Sequence, residues 1–198
     1  MCGRFTSLTI DDVRDALVAV QARIDARADR WAIAPSRETS NVRPSSLAAV
    51  MAQADRTLQA EELAWGFQAE WSNGGLVFNT RIEKAAGADG MWPPIAEQGR
   101  CLVPAAAFWE ADRATRKPEL FLPAEDDLLV MAGVCADGRF SVVTTEPDAV
   151  VAQVHDRMPL CLTPRGASLW LSLDWREVTA QPTAPLVRQS QQMSLFEL

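Results

Sequence analysis

Leu128-Leu129-Val130-Met131-Ala132-Gly133-Val134-Cys135-Ala136-Asp137-Gly138-Arg139-Phe140-Ser141-Val142-Val143-Thr144-Thr145 decides the fold class. Two apolar runs, Leu128 to Cys135 and Phe140 to Thr145, flank Asp137-Gly138, a dipeptide suited to a tight hairpin turn. The stretch therefore reads as an antiparallel pair.

Working outward, the same signature recurs in short pieces. Leu120 to Leu122, Phe108-Trp109-Glu110 and Cys101-Leu102-Val103 read as strands. Leu47 to Met51 and Leu58 to Phe67 read as an antiparallel pair about Asp55-Arg56, and Asn73-Gly74-Gly75 turns the chain into Leu76-Val77-Phe78. Met158 to Leu162 is a further strand. Helices are few. Thr9-Ile10-Asp11-Asp12 opens one like a capping box, its apolar face made by Val13, Ala16, Leu17 and Val20, and it fades near Asp25. Pro147 to Val154 and Pro164 to Leu173 supply two more, the second with proline in its first turn. Trp31 to Pro35 reads as extended, Ser36 to Ser45 as a polar loop and Gly87 to Pro94 as irregular. Strands that do not alternate with helices predict an α+β domain, not a doubly wound sheet.

The 198 residues suit one domain, and the net charge of −7 argues against an overall basic nucleic-acid-binding surface. Any phosphate-binding surface must be local. Cys2, Cys101, Cys135 and Cys161 include no C-x-x-C pair and have one histidine for company, so no zinc site and no cofactor is expected. No apolar run reaches about 18 residues, which argues against a membrane span. A cytoplasmic monomer with reduced thiols is expected.

The chain starts Met1-Cys2-Gly3-Arg4-Phe5-Thr6. Removal of Met1 would leave Cys2 with an α-amine and a thiol on adjacent carbons. The amine condenses with an aldehyde to an imine, and the sulfur then closes on the imine carbon to give a thiazolidine. Reference pKa values near 8 and 8.5 leave both nucleophiles partly populated at neutral pH. Condensation also needs a proton donor and a proton acceptor, and the sequence offers Glu110 and His155. Glu110 follows two aromatics on a strand, where alternation could equally turn it to solvent. Asn79 and Arg81 read either as ordinary turn and salt-bridge residues or, two apart on an extended segment, as groups facing one groove.

In order, Cys2-Gly3-Arg4, Trp65-Gly66, Asn79-Thr80-Arg81-Ile82-Glu83, Arg100-Cys101-Leu102-Val103-Pro104, Phe108-Trp109-Glu110 and His155-Asp156-Arg157-Met158-Pro159 resemble the SRAP family, the SOS response-associated peptidase-like proteins. The resemblance spans Cys2 to about Trp170. It implies a barrel-like or two-sheet core of mainly antiparallel short strands with a few flanking helices. It also implies covalent capture of abasic sites in single-stranded DNA as a thiazolidine on Cys2, after loss of Met1. By that resemblance Cys2, Asn79, Glu110 and His155 are catalytic, while Arg4 and Arg81 contact phosphates; the residues themselves add Trp65, ahead of Trp71 and Trp109, as a face on which an unpaired base stacks, and Arg157 as a DNA contact or a support of the site. Two other readings stand beside it: a cysteine-dependent autopeptidase and a non-covalent DNA- or clamp-binding module. The chain also departs from the family pattern, with Ala32 where asparagine is usual, Ala107 for a glycine, Ala111 for a tryptophan and no proline soon after Gly66.

The reading divides the chain into a domain at 1–178 and a mobile tail at 179–198. Within the tail, Gln192, Met193, Leu195 and Phe196 resemble the peptide by which bacterial proteins dock on the replicative sliding clamp, which makes that clamp an expected partner.

Overall fold

The computed structural model describes residues 2–35, 39–54, 57–69, 74–125 and 127–189. The N-terminal half runs β1 (Arg4–Leu8), α1 (Ile10–Asp25), β2 (Thr39–Val42), β3 (Leu47–Ala54), β4 (Thr57–Trp65), β5 (Phe67–Gln68), β6 (Leu76–Val77) and β7 (Asn79–Arg81). It continues through α2 (Ile82–Ala85), α3 (Trp92–Gln98), β8 (Arg100–Ala111), β9 (Pro118–Pro123), β10 (Leu129–Ala136) and β11 (Arg139–Thr145). Last come β12 (Met158–Pro159), α4 (Pro164–Trp170) and β13 (Leu186–Gln189), with 3-10 turns at Val151–Gln153 and Trp175–Ala180. The α+β class holds. Among the described residues the strands make one eleven-stranded sheet and one two-stranded sheet.

The deciding hairpin forms as read: β10 pairs antiparallel with β11, and Asp137 (φ 51°) and Gly138 (φ 70°) take the two left-handed positions of the turn. β10 also pairs with β8, β8 with β3, β3 with β4 and β4 with β11, so the ladder returns on itself. The β3–β8 and β4–β11 ladders hold only two residue pairs each, so the sheet curls without becoming a clear barrel.

Alternation along the curled strands divides the core. Val50, Cys101, Val103, Leu129, Met131, Phe140 and Val142 face one cluster together with Cys2, Phe5, Phe108 and Phe121. Met51, Leu102, Val130, Ala132 and Val143 face the other, against Val13 and Val20 of α1 and Trp170 of α4. Helix α1 starts as the sequence predicts, with the Thr9 hydroxyl accepting the Asp12 backbone N–H at 3.2 Å. No helix among the described residues is long and apolar enough to cross a membrane.

Several local readings change. Thr39–Val42, read as loop, pairs with β1, since Val42 opposite Phe5 buries a side chain that a free loop would expose. Pro93 and Pro94 sit in the first turn of α3, where their missing N–H groups cost little. Met158 to Leu162 contributes only Met158–Pro159 as strand, with Cys161 bridging to Met131. The strands expected at Cys101–Val103 and Phe108–Glu110 are one twelve-residue strand, β8. Pro104 stands where the second neighbour of β8 changes from β3, paired to Leu102, to β1, paired from Ala105. The chain beyond Thr179 is not a tail as far as Gln189: β13 pairs with β9 and Leu186 is buried, so the fold extends past the predicted boundary at residue 178. Gln192, Met193, Leu195 and Phe196 lie outside the described residues.

Ala32 has φ 50°, a left-handed conformation in which Cβ crowds the backbone and which asparagine tolerates best after glycine. The carboxylate of Asp127 imposes it by accepting the backbone N–H groups of Ala32 and Ile33 at 3.0 Å and of Leu128 at 2.8 Å. This accounts for the asparagine usual there in the family pattern. Ala32→Asn is expected to stabilise the fold by about 0.5–1 kcal/mol, read as a raised urea midpoint at constant m-value. A lowered midpoint would show that the turn is not strained.

Candidate active site

Cys2 is fully buried at the edge of the inner cluster, just before β1. Its carbonyl accepts the Asn79 side-chain amide at 2.7 Å, which ties the start of the chain to β7. Asn79 is itself held opposite Val142 in the parallel β7–β11 pairing and is 9% exposed. Its Oδ1 is buried and has no partner among the described residues, an acceptor left for an incoming hydroxyl or amine. Burial pushes the Cys2 thiol well above its ordinary pKa, and the charge of Glu110 pushes the same way. The folded sulfur is therefore held as the thiol.

Glu110 reaches this place through a β-bulge. In β8 the inward residues are first the odd ones, Cys101, Val103 and Ala105. The pairing with β1 then slips, Ser7 facing Ala105 and Thr6 facing Ala107, so Ala106 is an extra residue. Beyond it the even residues Phe108 and Glu110 turn inward. A carboxyl 2% exposed is costly to ionise, and burial raises its pKa to about 7. The charge of Asp156 also raises it, which places the turn carrying His155 within electrostatic reach.

His155 follows the 3-10 turn. Its Nδ1 lies 3.0 Å from the Arg157 backbone N–H, 3.1 Å from the Arg157 carbonyl and 3.1 Å from Asp156 Oδ1, contacts that fix the ring against the turn. Burial lowers the imidazole pKa, so the ring is predominantly neutral at pH 7. Asn79 is thus hydrogen-bonded to the Cys2 backbone, Glu110 lies within electrostatic reach of the Cys2 thiol, and Asp156, next to His155, lies within electrostatic reach of Glu110.

The residues read from the sequence as DNA contacts divide. Arg4 is partly exposed, its guanidinium 4.0 Å above the Trp109 ring, and Arg81 is exposed on β7. Two other assignments are corrected. Trp65 is fully buried, donating Nε1–H to the Phe78 carbonyl at 2.7 Å and packing edge-on against Phe5, so no base can stack on it. Its effect is to brace the segment that leads into Asn79. Arg157 forms a bidentate pair with Glu83, both contacts 2.9 Å, and donates to the Thr144 carbonyl at 2.7 Å, which leaves little of its guanidinium for a phosphate. It locks the His155 turn against α2. Sequence reading missed Arg43, an exposed residue just after β2 that lines a groove with Arg4, Trp109 and Glu110. No local motif marks it, since only the β1–β2 pairing brings it there.

A curled α+β sheet thus holds Cys2 just before its first strand, with the buried carboxyl of Glu110 within electrostatic reach of the thiol. The family model described as SOS response associated peptidase (SRAP) matches residues 1–197, and the chain belongs to that family. It is 27% identical over 182 residues to the abasic site processing protein YedK of Escherichia coli, covering 86% of this chain and 79% of that one. With the abasic site processing protein YoqW of Bacillus subtilis it shares 27% over 189 residues, covering 87% and 80%. Among solved structures, a phage-related protein of Bordetella bronchiseptica has the same fold, with TM-score 0.69 and 21% identity over 96% of this chain and 95% of that one.

Proposed function

We propose that this protein processes abasic sites by covalent capture: Cys2, freed of Met1, forms a thiazolidine with the ring-opened aldehyde of an abasic site in single-stranded DNA. The observation that carries this reading is the placement of Cys2, hydrogen-bonded through its carbonyl to Asn79 at 2.7 Å and set within electrostatic reach of the buried Glu110 carboxyl. The relatives' names support the substrate class.

The chemistry is divided between few groups. Glu110 in its acid form donates a proton to the hydroxyl leaving the carbinolamine, which departs as water and leaves an iminium on C1′ that keeps its N–H. Its carboxylate form then takes the thiol proton as sulfur bonds to the iminium carbon, which restores the acid and leaves the ring nitrogen neutral. The sum is amine plus thiol plus aldehyde giving thiazolidine plus water. A group with a pKa near the working pH serves both steps. Asn79 holds the Cys2 backbone through one amide proton and offers Oδ1 to the opened sugar. His155, held through Nδ1 by the Arg157 backbone, presents its imidazole to a sugar oxygen. Arg4 and Arg81 hold flanking phosphates.

The test is a denaturing gel of the protein with single-stranded oligonucleotides that contain or lack an abasic site. A retarded band is expected only with the lesion, together with an intact mass lacking Met1. Peptide cleavage without a retarded band would overturn the reading in favour of a peptidase.

A further inference from the structure

The groove beside Glu110 combines features that its part in the covalent chemistry does not use. Arg4, Arg43, Trp109, Ala111 and Pro118 line it, with Glu110 at its inner end. The two guanidiniums face the same space: the Arg4 pKa is lowered by burial and then by the charge of Arg43. Acidic side chains outnumber Lys and Arg by 26 to 19, and many of the other arginines are paired with them. Arg14 pairs with Asp11, Arg30 with Glu125, Arg113 with Asp156, Arg157 with Glu83 and Arg176 with Glu97. No ion pair joins Arg4 or Arg43 to any carboxylate of the described residues. Glu110, the acid that lines the groove, is half neutral at pH 7. Two like charges left side by side in an acidic chain repel until an anion bridges them.

We infer that this groove is a phosphodiester subsite in which Arg43 and Arg4 together hold the phosphate next to the captured sugar. The inference rests on the proposed reading of the site and deepens it. Arg4 is fixed by its stack on Trp109, which orients its fork. Arg43, exposed and without an ion pair among the described residues, closes over the anion from the opposite strand. Trp109 brings a buried indole N–H with no acceptor among the described residues. Ala111 contributes only a methyl group, which keeps the groove open to a phosphate.

The measurement is the affinity of the full-length protein for a lesion-free single-stranded oligonucleotide across a range of salt concentrations, by fluorescence anisotropy. Arg43→Gln is expected to weaken binding and to reduce the slope of log affinity against log salt by about 0.7, the value for one lost phosphate contact on a single strand. Ala111→Trp, at an exposed position, is expected to give the same reduced slope by filling the groove. A wild-type slope in either variant overturns the subsite, as does weaker binding with the slope unchanged. The reading of covalent capture is tested separately, by the retarded band that the unaltered protein gives with an abasic oligonucleotide. Its absence would sink that reading and leave the salt slopes to be judged alone.

Discussion

Glu110→Gln is expected to slow thiazolidine formation by about 10²- to 10⁴-fold and, in the same protein, to make the fold more stable at pH 8. Both effects have one cause. The carboxyl is buried by the bulge in β8, and burial raises its pKa from the usual 4.5 to about 7. A carboxyl with a raised folded-state pKa binds its proton more tightly in the fold than in the unfolded chain. Its stabilising contribution is therefore complete below about pH 4.5 and is lost as pH rises through 7. At about 1.4 kcal/mol per pKa unit, the cost of carrying the ionised side chain above pH 7 is roughly 3 kcal/mol. Glutamine keeps the shape and bears no charge. Urea melts of both proteins should nearly coincide at pH 4.5 and separate by a few kcal/mol at pH 8, with the variant the more stable. The crosslinking rate of the unaltered protein should bend near pH 7, and that bend should vanish in the variant. Equal stability at pH 8 would mean that Glu110 is not desolvated as described.

Cys2→Ser is expected to abolish every adduct that survives a denaturing gel. Serine retains the α-amine after methionine removal, so an imine with the aldehyde still forms, but its hydroxyl is too weak a nucleophile to close the ring. The imine hydrolyses when the protein unfolds. Adding borohydride during the incubation should restore the band by reducing the imine to a stable amine. This restoration distinguishes a lost ring closure from a lost binding site, because the variant must still place its amine against the aldehyde. A retarded band without reductant would show that the sulfur is dispensable and would end the thiazolidine mechanism.

Much of the secondary structure could be read locally. The Asp137-Gly138 turn and the Thr9 cap are decided by backbone preferences acting over a few residues, and both form as expected. The readings that changed depend on partners distant in sequence. Thr39–Val42 and Leu186–Gln189 carry ordinary polar or mixed sequence and become strands because β1 and β9 offer them free edges. Trp65 resembled a platform for a base because tryptophan serves in both settings; its burial against Phe5 and Phe140 is a property of the inner cluster.

The residue types needed for aldehyde capture, an aminothiol at position 2 with a carboxyl and an imidazole further along, were set by the sequence alone, because reactivity belongs to functional groups. Whether those groups could meet was decided by the tertiary structure. One extra residue at Ala106 reverses the inward parity of β8, so that Glu110 is buried beside Cys2, while the β1–β2 pairing brings Arg43 into line with Arg4. Strand parity and edge pairing are set by registers between distant segments, and no local run of residues carries that information.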